Sequence, residues 1–253
     1  MKMLLALSKN TFRETIRDRI LFIIIFFAVI FILASKLAGE ISARQDEKII
    51  IDFGLAMINI FGVLITIFVG INLVHKELER RTIFILLSKP VSRSMFILSK
   101  FFGLGAVLFL ITLFMGGIFF ILAPFELMFV YAIGMMFVSF LLLLSCVLFF
   151  SSFMTPILAG VSALCMYVVG HITTDLKVFA TYNDVSIGFK KFADFIYYIW
   201  PNFQALNLKN ISLEGFVFDK FDAFYVLSMS VAFIVLFIFF GVLFFSKKEF
   251  GKT

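Results

Sequence analysis

The sequence predicts an all-α integral membrane protein with six transmembrane helices, and three observations carry that prediction. Hydrophobic residues make up 62% of the 253 positions and charged residues only 15%. Long charge-free stretches recur along the chain, one of them covering positions 127–174. Lysine and arginine are also distributed unevenly between the alternate loops that those stretches define.

Composition sets the class. A soluble domain is about half apolar and about a quarter charged, so this chain has too little polar surface to cover one water-soluble core. Lipid must solvate the excess. The two cysteines, Cys146 and Cys165, lie in apolar runs with no histidine or second cysteine at ligand spacing, and read as small hydrophobes with no metal site. His75 and His171 fall at opposite ends of their spans, which excludes a shared metal and suits interface histidines. No cleavable signal is expected, because the polar, basic residues 8–19 precede the first apolar run and no small-residue cleavage site follows it.

A helix crossing the hydrocarbon layer needs about 20 apolar residues, and a charge at its centre costs about 2.5–3.5 kcal/mol. Charge-free stretches occur at 20–35, 53–74, 101–125, 127–174 and 223–246. The first is short, but Lys36 can extend its charge outward while Leu37 and Ala38 lengthen the apolar part. The fourth would run about 72 Å as one helix, so it must fold back. Ser151-Ser152-Phe153-Met154-Thr155-Pro156 is the turn-forming cluster near its middle. The expected spans are about 20–38, 53–74, 101–123, 127–150, 155–174 and 223–246, in a single transmembrane domain covering 1–253.

Charge orients the chain. The net charge of +6 would suit nucleic acid, but its placement points to the membrane and to no nucleic-acid partner. Six spans put fourteen lysines and arginines with five acids on the side holding both termini, and eight with eleven acids on the other. By the positive-inside rule both termini are cytoplasmic. All six tyrosines and Trp200 fall in the outer loop or near the outer ends of spans.

Three segments lie outside the spans. Residues 2–19 predict an interfacial helix, with Leu5, Phe12 and Ile16 on one face and Lys9, Arg13 and Arg17 on another; a simple orientation signal is the alternative. In the outer loop 175–222, Phe189, Phe192, Ile196 and Ile199 follow helical spacing opposite Lys190, Lys191 and Asp194, and Pro201 ends the pattern. That segment predicts an amphipathic or re-entrant helix, with Phe189, Phe192, Trp200, Pro201 and Asn202 forming an outer lid or simply filling the outer face. The inner loop 75–100 clusters charges at its start, is broken by Pro90, and offers Ser92 or Ser94 as a cap for the next helix. Its apolar run 83–87 suits insertion into a groove on a cytoplasmic partner, or else belongs to an orientation-setting basic loop.

Within the spans, Asn59, Gly62, Thr66 and Gly70 share one helix face. Small and hydrogen-bonding residues on one face suit close helix packing, with a translocation pathway or dimer face as the sharper alternative. No span carries a charge near its middle, which argues against a proton- or sodium-coupled carrier. An apolar surface suits a lipid-like, hydrophobic or peptide substrate. No serine–histidine, HExxH or paired-aspartate arrangement lies within the spans, so an intramembrane enzyme is not expected.

The inner loop resembles the signature of the ABC exporter permeases of the second type. Their run E-x-E-x-G-T, then leucines, then P-V-S-R and a lysine entering span three is met by Glu77, Glu79, Thr82, Leu86, Leu87, Pro90, Val91, Ser92, Arg93 and Lys100, with Arg81 in place of the glycine. Trp200-Pro201-Asn202-Phe203 with Leu206-Asn207 is similar to the P-N-x…N element before their last span. The pattern is similar to that of the permease of the nitrous-oxide-reductase maturation system and of similar bacterial exporters, which would place the chain in a bacterial inner membrane. The resemblance implies a permease that pairs with a second copy, commonly as a homodimer. It also implies a separate ATPase subunit, in two copies, that binds ATP and magnesium and is gripped through a coupling helix. Glu77, Glu79, Arg80, Arg81, Thr82, Leu86, Leu87, Pro90 and Arg93 would form that coupling element. This chain itself is expected to hold no cofactor and no ATPase site. Gly251-Lys252-Thr253 has Ser246 at the place of the first P-loop glycine and no following helix. A non-transporting coupler to a periplasmic partner, or a membrane assembly protein, is the alternative function.

Overall fold

A computed structural model describes residues 2–41, 46–79, 92–123, 126–182, 186–207 and 220–247, and every regular element among them is helical. In chain order these are α1 (Lys2–Ile16), α2 (Arg19–Ile41), α3 (Asp46–Glu79), α4 (Arg93–Leu122), α5 (Leu127–Ser151), α6 (Pro156–Tyr182), α7 (Ile187–Ile199) and α8 (Lys220–Lys247). Helices suit such a sequence because each satisfies its own backbone groups where water is absent. Five are long and apolar enough to cross a membrane: Ile50–Lys76, Arg93–Leu122, Leu127–Ser151, Pro156–Thr181 and Phe224–Lys247. The apolar part of α2, Arg19–Ala34, is shorter.

The fold-back falls where the turn formers stand. α5 ends at Ser151 and α6 begins at Pro156, with the amides of Ser152, Phe153 and Met154 bonded to the carbonyls of Phe149 and Phe150. Other boundaries differ from the charge-free limits. α3 runs from Asp46 to Glu79 rather than 53–74, α4 starts at Arg93 rather than 101, and α6 continues to Tyr182 rather than 174. A charge ends the hydrocarbon-compatible part of a helix, whereas the hydrogen-bond ladder continues into water. At 34 residues, α3 is about 51 Å long and extends beyond the hydrocarbon layer.

α3 and α5 form the interior. Of their most apolar stretches 61% and 67% is buried, against 22% for α6 and 17% for α8. α5 packs against α3, α4, α6 and α8; α3 also receives α2, α4 and α6. The side chains of Ile58, Phe119, Phe140, Leu143 and Leu144 are enclosed at this centre. Large apolar side chains on α2, α6 and α8 point outward, among them Phe26, Ile157 and Phe239, as expected of surfaces covered by lipid.

α1 is held to the bundle by a face that its sequence does not mark. It packs along α4, and the residues it buries are Thr11 and Thr15, while Leu5 is 60% exposed and Phe12 and Ile16 are half-buried. The cause is Gly103: a Cβ there would stand 2.6 Å from the Thr11 side chain and 2.8 Å from the Ser8 carbonyl oxygen. Only glycine lets the two helices meet this closely. Thr15 tolerates burial because its hydroxyl donates to the Thr11 carbonyl at 2.8 Å. Lys9, Arg13 and Arg17 remain exposed.

Candidate functional site

The charged segment between α3 and α4 leaves and re-enters the bundle at one end. Glu77 and Glu79 lie in the last turn of α3. Arg80, Arg81, Thr82, Leu86, Leu87 and Pro90 fall outside the described residues. The chain returns at Ser92, whose hydroxyl caps α4 by accepting from the Met95 amide at 3.3 Å, with the Ser94 hydroxyl 3.1 Å away.

Arg93, the next residue, reaches across to the last span. Its Nη1 donates to the carbonyls of Ser246 at 2.7 Å and Phe245 at 3.2 Å. Carbonyls in the last turn of a helix lack intrahelical donors and carry the negative end of the helix dipole, so a guanidinium satisfies both needs. Phe96 lies parallel to Phe245 with ring centroids 5.3 Å apart. Phe96, Ile97 and Phe245 form a small buried cluster of their own, with Ile238 and Val242 packed on it. Lys100 is buried one turn further on, its ammonium 5.5 Å over the Phe96 ring. The α5–α6 turn reaches α8 here too, since the ring of Phe153 sits 5.0 Å from that of Phe244. Arg93 is thus an anchor on α8. The sequence marks Arg93 by its motif; nothing in the sequence marks Phe245 or Ser246.

The face of Asn59, Gly62, Thr66 and Gly70 turns inward onto α5 and α6. Asn59 and Thr66 are buried. Asn59 Oδ1 accepts from the Tyr167 hydroxyl at 3.3 Å, joining α3 to α6. Thr66 donates to the Gly62 carbonyl of its own helix at 2.7 Å. A Cβ on Gly62 would lie 2.1 Å from Phe140 Cζ, and one on Gly70 would lie 2.9 Å from Val147 Cγ1. In this structure the face packs closely within one protomer.

Around the middle of α6, Trp200-Pro201-Asn202-Phe203 closes onto the helix. The Trp200 indole donates to the Met166 carbonyl at 3.1 Å, and the Phe203 amide donates to the Gly170 carbonyl at 3.2 Å. Asn202 Oδ1 accepts from the Thr174 hydroxyl at 3.2 Å and from the Ala205 amide at 3.0 Å. Gln204 donates to Asp175 at 2.8 Å. Gly170 admits this approach, since a Cβ there would stand 2.5 Å from both the Pro201 carbonyl oxygen and the Phe203 ring. Trp200, Pro201 and Asn202 therefore bracket α7 to α6. Helix α7, capped by Ser186, turns Ala193 and half-buried Phe189 inward, with Phe189 edge-on to Phe179, and leaves Phe192, Phe195 and Ile199 exposed.

Long apolar helices around a close-packed α3–α5 pair, with a charged segment returning through an anchored arginine, define a multi-pass helical membrane protein. The chain belongs to the family described as ABC-2 family transporter protein, whose model matches residues 5–250. It is thus a membrane permease of an ABC transporter, a class that works with an ATPase partner. No curated protein matches the chain.

Proposed function

We infer that this chain is the transmembrane half of an ATP-driven exporter in a bacterial inner membrane, with both termini cytoplasmic. Two copies of the chain pair with each other and with two copies of a separate ATPase subunit, which binds ATP and magnesium. The observation that carries this reading is the family match over residues 5–250. The charge asymmetry of the loops supports the orientation. In this reading Glu77 and Glu79 meet the ATPase together with the segment from Arg80 to Pro90, and Arg93 delivers the resulting displacement to α8. No span carries a charge near its middle, which favours a lipid-like, hydrophobic or peptide substrate.

The test starts from a tagged chain purified from its native membrane. An untagged ATP-binding subunit should copurify. Reversing both acids, E77K with E79K, sets like charges against any basic surface that receives them, and such juxtapositions cost several kcal/mol. ATPase activity should then fall by about tenfold or more, a change of about 1.4 kcal/mol. Full activity in a complex that stays intact would sink the coupling role assigned to these acids.

A further inference from the structure

Where α1 and α4 part on one side of the Thr11–Gly103 contact, an open groove of about 530 Å³ runs between them. Leu4, Leu5 and Phe12 of α1 and Phe102 and Ala106 of α4 make it apolar. Leu5 and Phe102 turn more than half of their surface outward, so the groove opens sideways toward lipid. Lys9 is the one charged residue lining it, is exposed, and forms no ion pair among the described residues. Arg13 follows one turn later, also exposed. Ser8 lines the groove as well, and its hydroxyl oxygen is enclosed without a hydrogen-bond partner among the described residues.

We propose that this groove is a binding site for an anionic phospholipid. One acyl chain lies along Phe102 and Ala106, and the headgroup phosphate sits on the Lys9 ammonium. The charge complementarity decides the occupant. An apolar peptide would leave the ammonium unmatched, and a zwitterionic lipid would offset the attraction with its own cation. A Lys near the surface draws an anionic headgroup by an amount worth about fivefold in occupancy. α1 already packs along α4, and the bound lipid would fill the space left between them at the groove. The site needs neither the ATPase nor the orientation assigned above, so its failure would leave that reading intact.

The experiment uses the full chain in phosphatidylcholine nanodiscs. A trace of phosphatidylglycerol with a photoactivatable diazirine in its tail is compared with the same trace of diazirine phosphatidylcholine. Adducts are mapped by mass spectrometry after illumination. The phosphatidylglycerol probe should label residues 102–106 about fivefold more than the phosphatidylcholine probe. In K9Q, which changes an exposed side chain, the two probes should label alike. In A106W, which fills the groove and keeps the lysine, both should lose labelling there while labelling of the outward face of α6 persists. Equal labelling by the two probes in the unaltered chain, a preference that survives K9Q, or no adduct in the groove would each overturn the proposal.

Discussion

Arg93 holds together two points more than 150 residues apart in sequence, donating to the final carbonyls of α8 from the first position of α4. Hydrogen bonds from charged groups contribute about 1.5–3 kcal/mol when buried, and this one is partly exposed, so the lower part of that range applies. Replacing Arg93 by glutamine should lower the apparent melting temperature of the detergent-solubilised chain by about 2–6 °C. Lysine should recover only part of the loss, because a single ammonium lacks the planar fork of the guanidinium. Thermal melting of R93Q indistinguishable from the unaltered chain would show that the contact contributes nothing. The same scale explains what could be read of α1. Its basic residues were legible, but the burial of Thr11 against α4 depends on Gly103. A glycine ninety residues downstream leaves no trace in the periodicity of α1.

Among the elements, α7 and the bracket after it show how little holds an outlying helix. Helix α7 packs on α6, with Ala193 its fully buried residue, and residues 200–207 secure it through Gly170 and its neighbours. A methyl group at Gly170 meets a backbone oxygen that has nowhere to move. Overpacking of this kind costs about 1–3 kcal/mol, equivalent to a rise in the open population of about fivefold to about 150-fold. G170A should therefore be cleaved faster by a limiting amount of protease between residues 186 and 207. G188A serves as the control, since nothing lies within 4 Å of a Cβ there. Equal cleavage of G170A and the unaltered chain would refute the bracket. The helix itself was legible from the spacing of Phe189, Phe192, Ile196 and Ile199 and from the stop at Pro201.

For the whole molecule, the decisive asymmetry is that of charge between the two sets of loops. In a background with Cys146 and Cys165 replaced by alanine, single cysteines at Lys9, Lys190 and Lys247 report the topology in intact cells. A membrane-impermeant maleimide should label position 190 and leave 9 and 247 unlabelled until the cells are opened. Labelling of 9 or 247 in closed cells would reverse the orientation.

By itself the sequence determined that the chain lives in a membrane, that its elements are helices, where the long uncharged run folds back, and which loop carries the family's motif. These follow from the bilayer, which tests each segment separately for length, charge and backbone satisfaction. Only the tertiary structure brings Asn59, Gly62 and Gly70 against α5 and α6, Arg93 onto the end of α8, and the Trp200 segment onto α6. In lipid, apolar helices gain little by choosing one apolar neighbour over another, so partners are set by shape and by a few hydrogen bonds. Phe140 over Gly62 and Thr11 against Gly103 are matches of that kind. They exist only once two distant helices lie side by side.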